Sequence, residues 1–135
     1  MVSLTLADAI RITGKDVLDY LDRDVSVPVV TKAACQGDVS FLRSEDAPAT
    51  TPMPKQGVVI VRSEASANTH SLHPDGSVFW DYRSDGSLLL GVLTVPEGSS
   101  ALVSHQEHGA LQITPGTYRV GRQREWQGEW ALVRD

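Results

Sequence analysis

Residues 78–120 read VFWDYRSDGSLLLGVLTVPEGSSALVSHQEHGALQITPGTYRV, and this stretch decides the fold. Short β-rich runs are separated by Asp85-Gly86, Glu97-Gly98, His108-Gly109 and Pro115-Gly116, with Asp75-Gly76 before them and Gln127-Gly128 after. The six glycines are 10, 12, 11, 7 and 12 residues apart. Glycine accepts the positive φ of a tight hairpin turn without a Cβ clash, so each dipeptide marks a chain reversal. Reversals at this spacing predict an all-β sandwich or barrel. Between them the side chains alternate. Val78, Trp80 and Tyr82 share one face, Ala101, Val103 and His105 oppose Leu102 and Ser104, and Tyr118 pairs with Val120 as Trp130 does with Leu132. Eight or nine strands are expected, differing too much from one another to be a sequence repeat.

Upstream the signal is still β but less regular. Gly57–Arg62 is a short apolar run bounded by turn residues and predicts a buried strand. Residues 44–56, SEDAPATTPMPKQ, hold three prolines and predict an exposed loop. Gln36–Leu42 reads as a turn followed by a strand. Val25–Thr31 is β-branched, and Pro28 confines it to an edge or an arm. The first 24 residues differ. Thr5-Leu-Ala-Asp8 and Thr13-Gly-Lys-Asp16 each read as a capping box with Asp in place of Glu, predicting two short helices. The expected organisation is a helical N-terminal segment or arm over 1–35 and an all-β domain over 36–135. The fold class is mainly β, one antiparallel sandwich or barrel with a short helical N-terminal segment.

Composition limits the functions. The chain has 135 residues, 41% hydrophobic and 21% charged, which fits one globular domain and argues against disorder. The longest apolar run, Leu88–Val95, is eight residues and cannot span a membrane. The N-terminus lacks the features of a secretion signal, so a cytoplasmic or virion-associated location is expected. A single cysteine, Cys35, excludes an intrachain disulfide, and neither a helix start nor a basic cluster lies beside it to activate the thiol. The net charge is −5, and the nearest thing to a basic patch is Arg119, Arg122 and Arg124 among acids. That argues against nucleic-acid binding, which draws its affinity from phosphate neutralisation. The paired N-terminal helices resemble a helix-turn-helix only in outline, being acidic and lacking a third helix.

Two constellations could carry chemistry. All four histidines lie between His70 and His108, and His105, Glu107 and His108 share one short stretch. His70, His105, Glu107 and His108 on neighbouring strands would suit Zn or another divalent metal with an open position. The alternative is structural: Glu107 and His108 cap a hairpin while His70 and His105 bond across strands. The second constellation is Arg122, Arg124 and Trp126, on the face of Tyr118 and Val120. Arg and Trp are common interface anchors, and the alternative is a salt bridge that locks the last hairpin. No nucleophile motif or phosphate loop is present, so no catalytic residue is assigned.

QGDV at 36–39, EASANTH at 64–70, LTVPEGS at 93–99, HQEHG at 105–109, PGTYRVGRQREW at 115–126 and VRD at 133–135 together resemble a family of small proteins of bacteria, actinobacteria above all, and their phages. Residues 1–35 fall outside the resemblance. Gln106 fills the variable position of the family's H-x-EH element, and Trp126 stands where Tyr or Phe is common. The family carries no assigned activity, so the resemblance implies a β architecture and a cytosolic or phage origin, and no catalytic residue. The preferred expectation is a non-enzymatic module without a cofactor, acting through protein–protein assembly as a homo-oligomer or part of a larger particle, such as a protein decorating a capsid. The other expectation is a small β-barrel that binds a metal or ligand, as a binding protein or an enzyme, through the His/Glu cluster.

Overall fold

Alternation along Gly116–Arg122 shows how the layers arise. Tyr118 and Val120 are fully buried, while Arg119 between them is exposed. A strand with one such face must be covered by a second layer. The computed structural model describes residues 3–62, 68–83, 88–122, 124–126 and 130–132, the last two groups by backbone alone. One helix, α1 (Leu6–Thr13), precedes β1 (Val29–Val30), β2 (Ala33–Gln36), β3 (Val39–Arg43), β4 (Val58–Arg62), β5 (Thr69–Asp75) and β6 (Phe79–Tyr82). There follow β7 (Leu89–Val95), β8 (Ser100–His105), β9 (Gly109–Ile113), β10 (Gly116–Arg122), β11 (Arg124–Trp126) and β12 (Trp130–Leu132).

Sheet I has the order β1-β9-β8-β5-β4 and sheet II the order β2-β3-β10-β7-β6. Both are open, so the chain forms a sandwich and not a closed barrel. Sequential hairpins alternate between the layers: β2–β3 and β6–β7 belong to sheet II, β4–β5 and β8–β9 to sheet I. Among the described residues every strand pairing is antiparallel except β1 with β9, where Val29 faces Gln112 and Val30 faces Ile113. The core between the sheets holds Val39, Phe41, Leu93, Tyr118 and Val120 from sheet II against Leu72, Ala101, Val103 and Ile113 from sheet I. Tyr118 is buried with its hydroxyl donating to the Thr114 carbonyl at 2.9 Å, so the ring adds apolar contact without an orphaned polar atom. At Gly121 the β7–β10 register shifts, the bulge expected of a lone strand glycine.

β8 is buried at all six positions, because sheet I is covered on both faces. Its outer face carries Leu102, which joins Ala110 in a second cluster with Leu6, Ala9, Val17 and Val27. The segment 4–27 therefore lies as a cover over sheet I. Burial of each large side chain there contributes roughly 1.5–3 kcal/mol. Ser71, His73, Ser104 and Gln112 are also buried on this face. His73 Nε2 lies 2.9 Å from the Ser71 hydroxyl. Burial, and then the charge of Lys15, hold the His73 imidazole below its ordinary pKa, against a weaker opposing effect of the Gln56 carbonyl.

α1 begins as the sequence predicts. Thr5 Oγ1 accepts from the Asp8 N–H at 3.2 Å, and Asp8 Oδ2 accepts from the Thr5 N–H at 3.0 Å. The second capping box forms no helix. Thr13 turns its hydroxyl back onto the Ala9 carbonyl, Gly14 ends α1 in the left-handed region, and Asp16 Oδ1 accepts from the adjacent Val17 N–H. Residues 14–25 are instead tied by tertiary bonds, such as the Leu18 N–H to the Gln106 carbonyl at 2.9 Å. The proline-rich stretch 44–56 contains no strand, yet Ala49 and Met53 are buried. Ala49 N–H donates to Thr94 Oγ1, and Thr51 N–H to the Asp81 carboxylate, so the stretch runs along β6 and β7.

Candidate functional site

Two turns and two strand ends build a polar cluster inside the sandwich. The β2–β3 hairpin turns in two residues, Gly37 and Asp38. Gly37 has φ 57°, the positive value that the first position of such a turn requires. This turn tucks Asp38 inward, where it is 2% exposed. The β8–β9 hairpin turns through Gln106, Glu107 and His108 and closes on Gly109 at φ 79°. β5 contributes His70, buried at 1% exposure, and β10 contributes Arg122.

Hydrogen bonding fixes the atoms. Gln36 Nε2 donates to the carbonyls of Val103 and Gly109, both at 3.4 Å, which turns Gln36 Oε1 toward His70. An amide oxygen only accepts, so His70 Nδ1 carries the hydrogen of the 2.9 Å bond to it. His70 Nε2 lies 3.3 Å from Asp38 Oδ1. Arg122 donates to Asp38 Oδ2 from Nη2 at 3.0 Å and from Nε at 3.3 Å. The result is a clamp that joins sheet I (His70, Val103, Gly109) to sheet II (Gln36, Arg122) through Asp38 in the sheet II turn. Burial of a carboxylate this complete demands charged and hydrogen-bonding partners, and the clamp supplies them.

His105 extends the clamp. Its Nδ1 accepts from the backbone N–H groups of Glu107 at 3.1 Å and His108 at 3.2 Å, so the ring caps its own hairpin turn. The imidazoles stack: His70 and His105 centroids are 4.3 Å apart, His105 and His108 are 4.5 Å apart, and the His70 and His108 planes differ by 7°. Imidazoles that ligate one ion radiate from it at about 2.0–2.1 Å, whereas these rings face one another. Among the described residues no group of three His, Cys, Asp or Glu is arranged to hold a metal ion.

His108, at the exposed end of the stack, also lines a cleft of about 240 Å³ between the cover and β9. Leu6, Leu21, Val25, Ala110 and Leu111 give it an apolar wall, and Asp22 is its one carboxylate. Exposed apolar side chains gather on the same segment. Of the eight exposed large hydrophobic side chains among the described residues, five (Ile12, Leu18, Tyr20, Val25 and Val29) belong to the cover and the start of β1. Tyr20 is 74% exposed.

A family model described as a domain of unknown function, DUF8820, matches residues 35–123. The chain belongs to the DUF8820 family. No curated protein and no solved structure matches it. The DUF8820 span begins one residue before Gln36 and ends one residue after Arg122, so it contains every member of the clamp and leaves out the cover and β1.

The residues singled out from the sequence separate into two groups. His70, His105 and His108 come together, but Glu107 is exposed and meets His105 through its backbone N–H. Arg122 pairs with Asp38, and the side chains of the acids in the last hairpin lie outside the described residues. Arg124 lies in β11, and its side chain and that of Trp126 fall outside the described residues. Gln36 and Asp38 were missed as site residues. The QGDV run marks the turn, but Asp at a turn position is ordinarily exposed, so nothing in the run announces that Asp38 is buried.

Proposed function

We propose that this DUF8820 chain is a non-catalytic interaction module, a β-sandwich whose clamp fixes the two sheets and whose N-terminal cover presents the surface for protein–protein assembly. The concentration of exposed apolar side chains on the cover and β1, with Val25 among them lining the cleft, carries this reading, because exposed apolar surface gathered on one segment marks an interaction surface. The clamp supports it from the other side: its hydrogen bonds run between the sheets, which suits a scaffold. The resemblance to phage-encoded proteins makes an accessory virion protein, of the kind that decorates a capsid, the concrete form of the proposal.

The test is photo-cross-linking in the cells or particles that carry the protein. The photoreactive residue p-benzoylphenylalanine replaces Tyr20 on the cover or, as a control, Tyr82, an exposed aromatic on the edge of sheet II. Discrete protein adducts from position 20 and none from position 82 are expected. No adduct from either, or equal adducts from both, would sink the reading.

The gathering of His70, His105 and His108 favours a second reading, metal binding. The ring stacking and the engaged Nδ1 of His105 count against it. Elemental analysis of tag-free protein, together with melting in the presence of Zn, Ni, Mn or Fe, tests this alternative. Stoichiometric metal or a rise in Tm would favour it.

A further inference from the structure

We propose that the cleft between the cover and β9 seats one apolar side chain of a partner segment whose flanking residues are basic. This rests on the cover being the interaction surface and names the chemistry of its partner. Size comes first. A cleft of about 240 Å³ exceeds the ~150 Å³ cavity that holds a benzene ring. It falls below the ~300–1,000 Å³ of pockets built for drug-sized ligands or cofactors. One leucine or phenylalanine side chain suits it. The wall suits such an occupant, since the side chains of Leu6, Leu21, Val25 and Leu111 offer only carbon, and the polar side chains in the lining are Asp22, Ser26 and His108.

Charge decides what flanks the anchor. Asp19, Asp22 and Asp24 are exposed on the cover, and none is ion-paired among the described residues. The base in their midst is turned away from solvent recognition. Arg23 gives its guanidinium to the carbonyls of Val17, Asp19 and Leu21 and to Asp16 Oδ1. The cleft is thus apolar with an unpaired carboxylate, Asp22, in its lining and Asp19 and Asp24 exposed within three residues of it in the chain, complementary to a segment with Lys or Arg on either side of an apolar residue. A second copy is the wrong occupant, because docking this face on itself would set the same carboxylates against one another in a chain of net charge −5.

The experiment titrates the full ¹⁵N-labelled chain with three acetylated, amidated pentapeptides, RKFKR, RKSKR and EDFDE, and follows amide shifts. RKFKR is expected to shift the amides of Leu6, Leu21, Val25, Ala110 and Leu111, with Kd rising as salt is added. RKSKR and EDFDE are expected to bind about tenfold more weakly or not at all. The exposed substitution Asp22→Lys should weaken RKFKR by about tenfold, and Val25→Glu should do the same, with the sandwich amides unmoved in both variants. The proposal is overturned by shifts elsewhere, by equal binding of the three peptides, or by no shift at millimolar peptide. Concentration-dependent shifts of the cleft amides in the protein alone also overturn it, since they would mean a second copy. If position 20 cross-links to a partner while RKFKR does not bind, the partner chemistry is wrong and the interaction surface stands. If neither occurs, both readings fall.

Discussion

Asp38 is 2% exposed and has Arg122 on one oxygen and His70 facing the other. Removing one partner of such a pair leaves a charge in a medium that solvates it poorly, and the loss exceeds the net contribution of the pair. Arg122→Leu is expected to lower the unfolding free energy by about 3–5 kcal/mol in urea titration. The double variant Asp38→Asn/Arg122→Leu should be more stable than Arg122→Leu alone, because it removes the stranded charge as well. A single variant as stable as the parent would show that Arg122 is not what sustains Asp38. This contact was not legible in the sequence. Alternation tells which face of a strand His70 and Arg122 occupy, but the residue across from them is set by which turn folds beneath the sheet. Asp38 carries the local signature of an ordinary turn residue.

At the scale of elements, the glycine-marked reversals and the strands between them were legible because a positive φ is a local demand. So was α1, whose cap is complete within four residues. Thr5→Ala removes the hydroxyl that receives the Asp8 N–H and is expected to cost about 0.5–2 kcal/mol. Hydrogen exchange should place the loss in residues 4–27 and leave β3 and β10 protected. The second capping box misled because its parts are used differently: Thr13 bonds within α1, and the following residues bond to the β8–β9 turn. Likewise the prolines of 44–56 excluded a strand, as expected, but could not reveal that Met53 reaches the core. Alternation along β8 misses its role too, since a strand covered on both faces buries Ser104 and His105 as fully as Leu102.

For the whole molecule, the cover makes stability depend on pH. In the unfolded chain His73 titrates near its ordinary value of about 6.5. In the fold its pKa lies lower, first through burial and then through Lys15. Between those values the unfolded state holds a proton that the folded state lacks, so stability falls as pH drops below about 6.5 and stops falling once the folded value is passed. The carboxylates act in a separate window. Asp81, held below its ordinary value chiefly by the Thr51 backbone N–H, and Asp8, held by that of Thr5, lose their contribution only as pH falls below about 4. Urea midpoints between about pH 7.5 and pH 5 should fall for the parent and fall less for His73→Gln; equal slopes would remove His73 from the account. The parallel strand β1 has one further consequence. Its register is read from β9, which has first to be aligned on β8, and Val29 and Gln112 lie far apart in the chain. The cover can close only on a surface that the hairpins have already assembled, so it is expected to form after the folding transition state. In stopped-flow measurements Thr5→Ala should therefore hasten unfolding and leave the refolding rate unchanged.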